Sequence, residues 1–207
     1  MKRALVSLLI VFASNSFAED AQGILQKVKQ KYDSIKDAEL KFLQRTTSVL
    51  SPSKQSISGT LFIKKENKFR VELEGQTIVT DGDTIWSYNP ANRQVIIDRF
   101  KKNARVLTPE RVLAASPTDY SASLLGTEQI GKLRTNVLQL MPRDENSLVT
   151  TMKLWVDDKW LIRKVVIIDV NGRALSYFVN EIKLNLNIPD SRFTYQIPRG
   201  AETVDLR

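Results

Sequence analysis

The hydrophobic pattern changes period once, near the start of the chain, and then holds. Between Asp20 and Asp37 the apolar residues Ile24, Leu25, Val28, Tyr32 and Ile35 recur at helical spacing, and Lys27, Lys29, Lys31 and Lys36 occupy the rest of the surface. That stripe predicts an amphipathic helix. From Ala38 the period is two. In "AELKFLQRTTSVL" Leu40 and Phe42 alternate with Glu39 and Lys41. "SISGTLFIKK" places Ile57, Leu61 and Ile63 on one face, and "KFRVEL" sets Phe69, Val71 and Leu73 opposite Lys68, Arg70 and Glu72. These are the marks of half-buried antiparallel strands. "TIVT", "TIWSY", "RQVIID", "RTNVLQLMP", "VTTMKLWVD", "WLIRKVVIID" and "RALSYFVNEIKL" extend the series, and a last strand is expected around Phe193 and Tyr195. Ser51-Pro52-Ser53, Glu66-Asn67, Asn89-Pro90, Asp157-Asp158 and Asn171-Gly172 supply the breaks.

Two segments stand outside that pattern. Lys2 and Arg3 precede the apolar run "ALVSLLIVFA", and "SFA" ends at Ala18 with small residues flanking the phenylalanine. This is the form of a secretory signal cleaved after Ala18, too short for a spanning helix of ~20 residues. The expected mature unit is one domain, residues 19–207, lying beyond the inner membrane. The second segment runs from Phe100 to Ser116. Thr108 fits an N-cap, Pro109 the first helical position and Glu110 the first turn, while Ser116-Pro117 stops the helix. A short helix thus interrupts a β protein.

The expected fold is mainly β: roughly ten to eleven antiparallel strands that must curl rather than lie flat, with the two helices covering the open side. Alternation does not say whether such an interior is a filled core or a cavity, because both are lined in the same way.

Composition then narrows the chemistry. The chain has no cysteine and no histidine. Disulfides, a lipidated cysteine, Ser-His-Asp and Cys-His catalysis and histidine-ligated zinc are all excluded. Only carboxylates, lysine, tyrosine and hydroxyls are left for catalysis. The net charge is +8, but the basic residues are interleaved with acids, as in "FIKKENKFRVELEG". A nucleic-acid groove needs basic clustering with aromatics, so no nucleic acid is expected.

One stretch, "VTDGDTIWSYNP" (Val79 to Pro90), invites a metal or carboxylate reading. A calcium loop counted from Asp81 would need an oxygen ligand at Ile85 and glycine at Trp86, and it fails at both. Asp81-Gly82 reads instead as a tight hairpin turn. Trp86 and Tyr88, two apart, share a sheet face, expected to be the interior. Asp81 with Asp83, and Asp157 with Asp158, are the carboxylate pairs a hydrolase could use. Both lie at predicted turns, where carboxyl groups keep ordinary pKa values. No enzyme, cofactor or metal is expected.

The same stretch resembles the LolA-type outer-membrane lipoprotein carriers, whose strand-turn-strand has the form S/T-D-G-x-x-x-W-x-Y-x-P-x-x-x-Q. Asp81, Gly82, Trp86, Tyr88, Pro90 and Gln94 match it. Further resemblances follow in register: Phe42 and Gln44; Gly59, Leu61, Lys64, Phe69 and Arg70; Phe193, Tyr195, Pro198, Gly200 and Val204. The resemblance implies an unclosed β-barrel with a helical lid over an apolar cavity. It implies a monomeric periplasmic chaperone for acylated lipoproteins, loaded by an inner-membrane lipoprotein-releasing ABC transporter and unloaded to an outer-membrane lipoprotein receptor. The expected acyl-chain cavity is lined by Leu40, Phe42, Leu61, Ile63, Trp86, Tyr88 and Leu154, and the lid includes Val106, Leu107, Val112 and Leu113. The family arginine that fastens the lid is replaced here by Lys65, with Lys64 beside it, and lysine lacks the planar fork of donors. Phe69 and Arg70 match the transporter-docking segment, although an aromatic on this strand serves core packing equally well. A lipoprotein-sensing module of the same fold and a structural protein with a filled core are the alternatives.

Overall fold

The helical stripe folds as α1, Ala21–Ser34. The Asp20 carboxylate caps it by accepting from the Gly23 backbone N–H, which satisfies one of the unpaired donors of the first turn. The computed structural model describes residues 20–48, 51–100, 112–113 and 115–207. Within them the alternating segments form β1 (Asp37–Ser48), β2 (Ser51–Lys64), β3 (Lys68–Leu73), β4 (Gln76–Thr80), β5 (Thr84–Asn89) and β6 (Gln94–Arg99). They continue as β7 (Tyr120–Ile130), β8 (Leu133–Pro142), β9 (Val149–Val156), β10 (Ile162–Asp169), β11 (Ala174–Leu184) and β12 (Glu202–Asp205).

All twelve strands join one sheet in the order β12-β6-β5-β4-β3-β2-β1-β11-β10-β9-β8-β7. The order leaves β12 and β7 as two edges, so the barrel is unclosed as expected. The tail departs from expectation. Asp190–Phe193 is a 3-10 turn, not a strand, and the last strand lies further on, at β12, parallel to β6. Pro189 and Pro198 flank the segment where a strand was expected, and a proline there has no N–H to give a ladder.

Cross-strand partners share a face, so register carries one face across the sheet. Leu40 on β1 lies opposite Leu61 on β2, which lies opposite Val71 on β3, then Ile78 on β4. In the other direction Tyr177 faces Val165, Val165 faces Leu154, and Leu154 faces Leu138. This inner face is the one α1 covers: Ile24, Leu25, Val28 and Tyr32 are buried against Leu40, Leu61, Leu138, Leu154 and Val165 in one core cluster. Gly59 makes room there. A Cβ on it would sit 2.6 Å from the Phe42 ring.

The outer face has its own cover. Residues after β11 run back across β1, β2 and β3. The Asp37 carboxylate, 2% exposed, accepts from the backbone N–H groups of Leu186 at 2.7 Å and Ile188 at 3.3 Å. Phe193, fully buried, packs with Ile188 and Phe62 as a second cluster.

Candidate functional site

The inner face under α1 is where most of the expected cavity residues meet. Leu40, Phe42, Leu61 and Leu154 are buried in the core cluster, and Ile63 packs partly buried against it. The Phe42 ring meets Tyr177 edge-on at 5.8 Å. Val71, Leu73, Ile78 and Ile85 on the neighbouring strands add half-buried apolar surface.

Trp86 and Tyr88 do not join them. They share a face as the spacing predicts, but register puts it on the other side of the sheet. Trp86 lies opposite Val79 and Ile97, and Tyr88 opposite Thr77 and Val95, all one residue out of step with Ile78 and Ile85. Tyr88 stacks at a tilt on Tyr195 of the tail, 5.8 Å between ring centres. Two apolar faces flank this part of the sheet, and the spacing of Trp86 and Tyr88 shows that they share one, not which one.

Of the expected lid, Val106 and Leu107 lie outside the described residues. Val112 and Leu113 are helical, with Leu113 buried in the inner cluster and Val112 packed against it. Leu113 also lines a cleft of about 420 Å³ at the rim, with Tyr32, Ile35 and Ile63 as its apolar wall and Lys36, Lys64, Lys65 and Lys68 around it.

The two lysines have different surroundings. Lys65 is exposed in the turn after β2, its backbone N–H donating to the Lys36 carbonyl at 3.3 Å. Lys64 Nζ donates to the Ile188 carbonyl at 2.8 Å and to Asp190 at 2.6 Å. It therefore fastens the tail on the outer face. Lys68 shares Asp190 at 3.0 Å. These two side-chain bonds hold the Asp190 carboxyl below its ordinary range.

Phe69 is 3% exposed on the inner face, edge-on to Phe100 at 6.1 Å. In this conformation its role is core packing. Arg70 points outward and donates from Nε to Glu72 at 2.6 Å, and Glu72 also meets Arg192 of the tail at 3.5 Å.

The Asp81-Gly82 stretch is a turn. Asp81 Oδ1 accepts from the backbone N–H groups of Asp83 and Thr84 at 3.0 and 2.8 Å. Gly82, at φ 103°, packs so closely that a Cβ would fall 2.5 Å from the Glu66 carbonyl oxygen. Asp157 departs from the solvated turn expected for it. It is 1% exposed, accepts from Lys159 and Leu161 N–H groups at 2.9 Å each, and pairs with Arg163 at 2.7 Å. That saturates both oxygens with structural bonds, an unsuitable state for a general acid. Among the described residues no cluster of three potential metal ligands forms, and no helix is long and apolar enough to cross a membrane.

The pattern names Tyr32 as part of the helical stripe and Asp157 as part of a turn, but shows neither as a polar anchor, nor Asp37 as one. The Tyr32 hydroxyl, buried under α1, accepts from the Ile162 N–H at 3.2 Å, and burial pushes its pKa up to about 12. Lone polar residues at element ends carry no periodic signal. The apolar stripe of α1 was legible; the polar anchors around it were not.

The family described as outer membrane lipoprotein carrier protein LolA matches residues 33–196 of this chain. The outer-membrane lipoprotein carrier protein of Serratia proteamaculans (strain 568) is 28% identical over 213 residues, spanning 100% of both chains. That of Pasteurella multocida (strain Pm70) is 27% identical over 204 residues, 97% of this chain and 95% of its own. Among solved structures, an uncharacterized conserved protein from Thermus thermophilus superposes with a TM-score of 0.59 at 16% identity, over 89% of this chain and 98% of that one, a likeness of fold alone. With the family match running from the end of α1 to the tail, across every strand up to β11, the chain belongs to the outer membrane lipoprotein carrier protein LolA family.

Proposed function

We propose that this protein carries acylated lipoproteins through the periplasm, sheltering their acyl chains on the inner face of the sheet. It works as a carrier and not as an enzyme. The single observation behind this reading is the nature of the inner cover: an amphipathic helix laid across a wide apolar sheet face, held chiefly by side-chain packing.

Magnitudes explain why such a carrier is needed. At ~0.8 kcal/mol per CH₂, three chains of about 15 methylenes would cost ~35 kcal/mol to expose to water. They also bear on reversibility. Ile24, Leu25, Val28 and Tyr32 each contribute ~1.5–3 kcal/mol by burial, ~6–12 together. One acyl chain of about 15 methylenes offers ~12 kcal/mol. Trading helix contacts for one of the three acyl chains is thus nearly balanced, so displacing α1 offsets the binding of that chain alone. In the closed conformation Leu40, Phe42, Leu61 and Leu154 are occupied by their neighbours, so loading parts α1 and the segment carrying Val112 and Leu113 from the sheet. The rim cleft beside Ile63 and Leu113 is the opening from which that parting starts.

Export by the leader, with cleavage after Ala18, places the protein between two membranes. An inner-membrane lipoprotein-releasing ABC transporter would load it and an outer-membrane lipoprotein receptor would accept the cargo. Phe69 could dock to the transporter only in an opened form, because it is buried when closed. Lys65, exposed at the rim beside Leu113, remains the lid-fastening candidate.

The test is release of lipoproteins from spheroplasts by the purified 19–207 chain. An acylated lipoprotein should appear in the supernatant as a soluble one-to-one complex, and a cargo with its acylated cysteine changed to serine should not. Equal recovery of both cargoes would sink the carrier reading.

A further inference from the structure

We infer that the β9–β10 turn, residues 157–161, together with Ile162 at the start of β10, is a latch on α1, with Trp160 as its positioning residue, and that it sets how readily α1 leaves the acyl-binding face. The inference rests on the carrier reading above for its functional consequence, but the latch itself is a property of the closed fold.

Three polar ties between α1 and the sheet stand out. Gln22 Nε2 donates to the Tyr120 carbonyl at 3.4 Å. The other two converge on this segment: the Ile162 N–H donates to the Tyr32 hydroxyl at 3.2 Å, and Lys27 Nζ lies 4.6 Å above the Trp160 ring. Lys27 lies mid-helix and Tyr32 in the last turn of α1, so the latch reaches the part of the helix nearest the rim cleft, which Tyr32 also lines.

The turn is built to hold its shape. Besides the bonds to Asp157 already described, the Asp157 N–H donates to the Leu161 carbonyl at 3.0 Å and the Trp160 N–H to the Asp157 carbonyl at 3.1 Å. Within this frame Trp160 sits at φ +62°, the left-handed region that glycine or asparagine normally takes and that a bulky side chain adopts only when its surroundings impose it. A glycine would satisfy the same backbone without strain. What a glycine would lack is the indole, which packs half-buried against the inner core cluster and receives Lys27 on its face. The strained residue is therefore kept for its contact with α1, and strain of this kind is retained where the side chain serves a purpose beyond the turn.

A latch of this design has a signature that a purely structural residue does not. Trp160→Gly relieves the backbone while freeing the helix. Lys27→Met leaves the bonds within the turn intact and removes the cation above the ring. Lys27→Met should speed amide hydrogen exchange across α1 in the full chain by about two- to fivefold, the change expected for loss of one exposed cation–π contact, and Trp160→Gly, which also loses the half-buried indole, by at least as much. Exchange in β1 and β2 should stay at the wild-type rate. Uptake of fluorescently labelled palmitate should accelerate by a similar factor. Unchanged α1 exchange in both variants would overturn the latch. Faster exchange with unchanged palmitate uptake, in a background where the wild type takes palmitate up, would overturn its gating role. Wild-type protein that binds no palmitate and releases no acylated lipoprotein would instead defeat the carrier reading, and the exchange rates would still decide the latch.

Discussion

The two faces of this sheet are covered in opposite ways. On the inner face α1 lies over Leu40, Leu61 and Leu154 by apolar packing, with Gln22, Lys27 and Tyr32 adding polar contacts. On the outer face the tail is pinned by named bonds: Asp37 to Leu186 and Ile188, Lys64 to Ile188 and Asp190, Lys68 to Asp190, and Arg192 stacked 4.2 Å over Phe62. Apolar packing is non-directional, so an acyl chain can replace it contact for contact. A buried carboxylate bonded to two N–H groups has no such substitute, because leaving either side unpaired carries the full desolvation penalty. Under the proposed function the inner cover is the one an acyl chain exchanges with, and the outer one stays.

The sharpest break of this comparison is truncation on each side. Phe193→Ala should remove ~3–5 kcal/mol of stability and Leu154→Ala ~2–5 kcal/mol, read by urea denaturation. Only Leu154→Ala should also weaken lipoprotein capture per folded molecule; equal losses of capture would erase the distinction between faces. Next in size is alkaline pH. Tyr32 ionises at 10.0 in an open chain and near 12 when buried. The folded state therefore retains the proton more tightly, and its stability holds below pH 10.0 and declines between 10.0 and about 12. Hydrogen exchange or circular dichroism over that range should show α1 loosening before the tail does.

Asp37→Asn comes third. It weakens charge-assisted bonds worth ~1.5–3 kcal/mol in all and should speed exchange at Leu186 and Ile188 while leaving cargo capture unchanged. Lys64→Met should have the smallest effect. Its partner Asp190 is exposed, so solvent screens the ion pair, and the bond to the Ile188 carbonyl is the main loss. Capture should again be unaffected, which separates a tail-fastening Lys64 from a lid-fastening one.

How much of this was legible beforehand varies by element. The amphipathic stripe of α1 and the alternation of β1 to β3 are plain because most of their apolar residues recur on one face, Phe62 on the outer face of β2 being an exception. Trp86 and Tyr88 were placed together but on the unexpected face, since alternation states that two residues agree and not which side they agree on. The side depends on the chain of register from Leu40 through Ile78, which no single strand contains. The tail was misread because its contacts are long-range: Asp37 meets Ile188 across 151 residues. Asp157 looked like an ordinary turn residue, and only the fold supplies Arg163 and the backbone donors that bury it.

The most direct measurement uses neighbouring residues of β5. Ile85 lies on the inner face and Trp86 on the outer. A photo-crosslinking side chain placed at either position, in protein loaded with an acylated lipoprotein from spheroplasts, reports which face touches the acyl chains. Crosslinks to the lipid are expected from position 85 and none from position 86. Crosslinking from position 86 with silence at 85 would place the cargo on the outer face and contradict the proposed function.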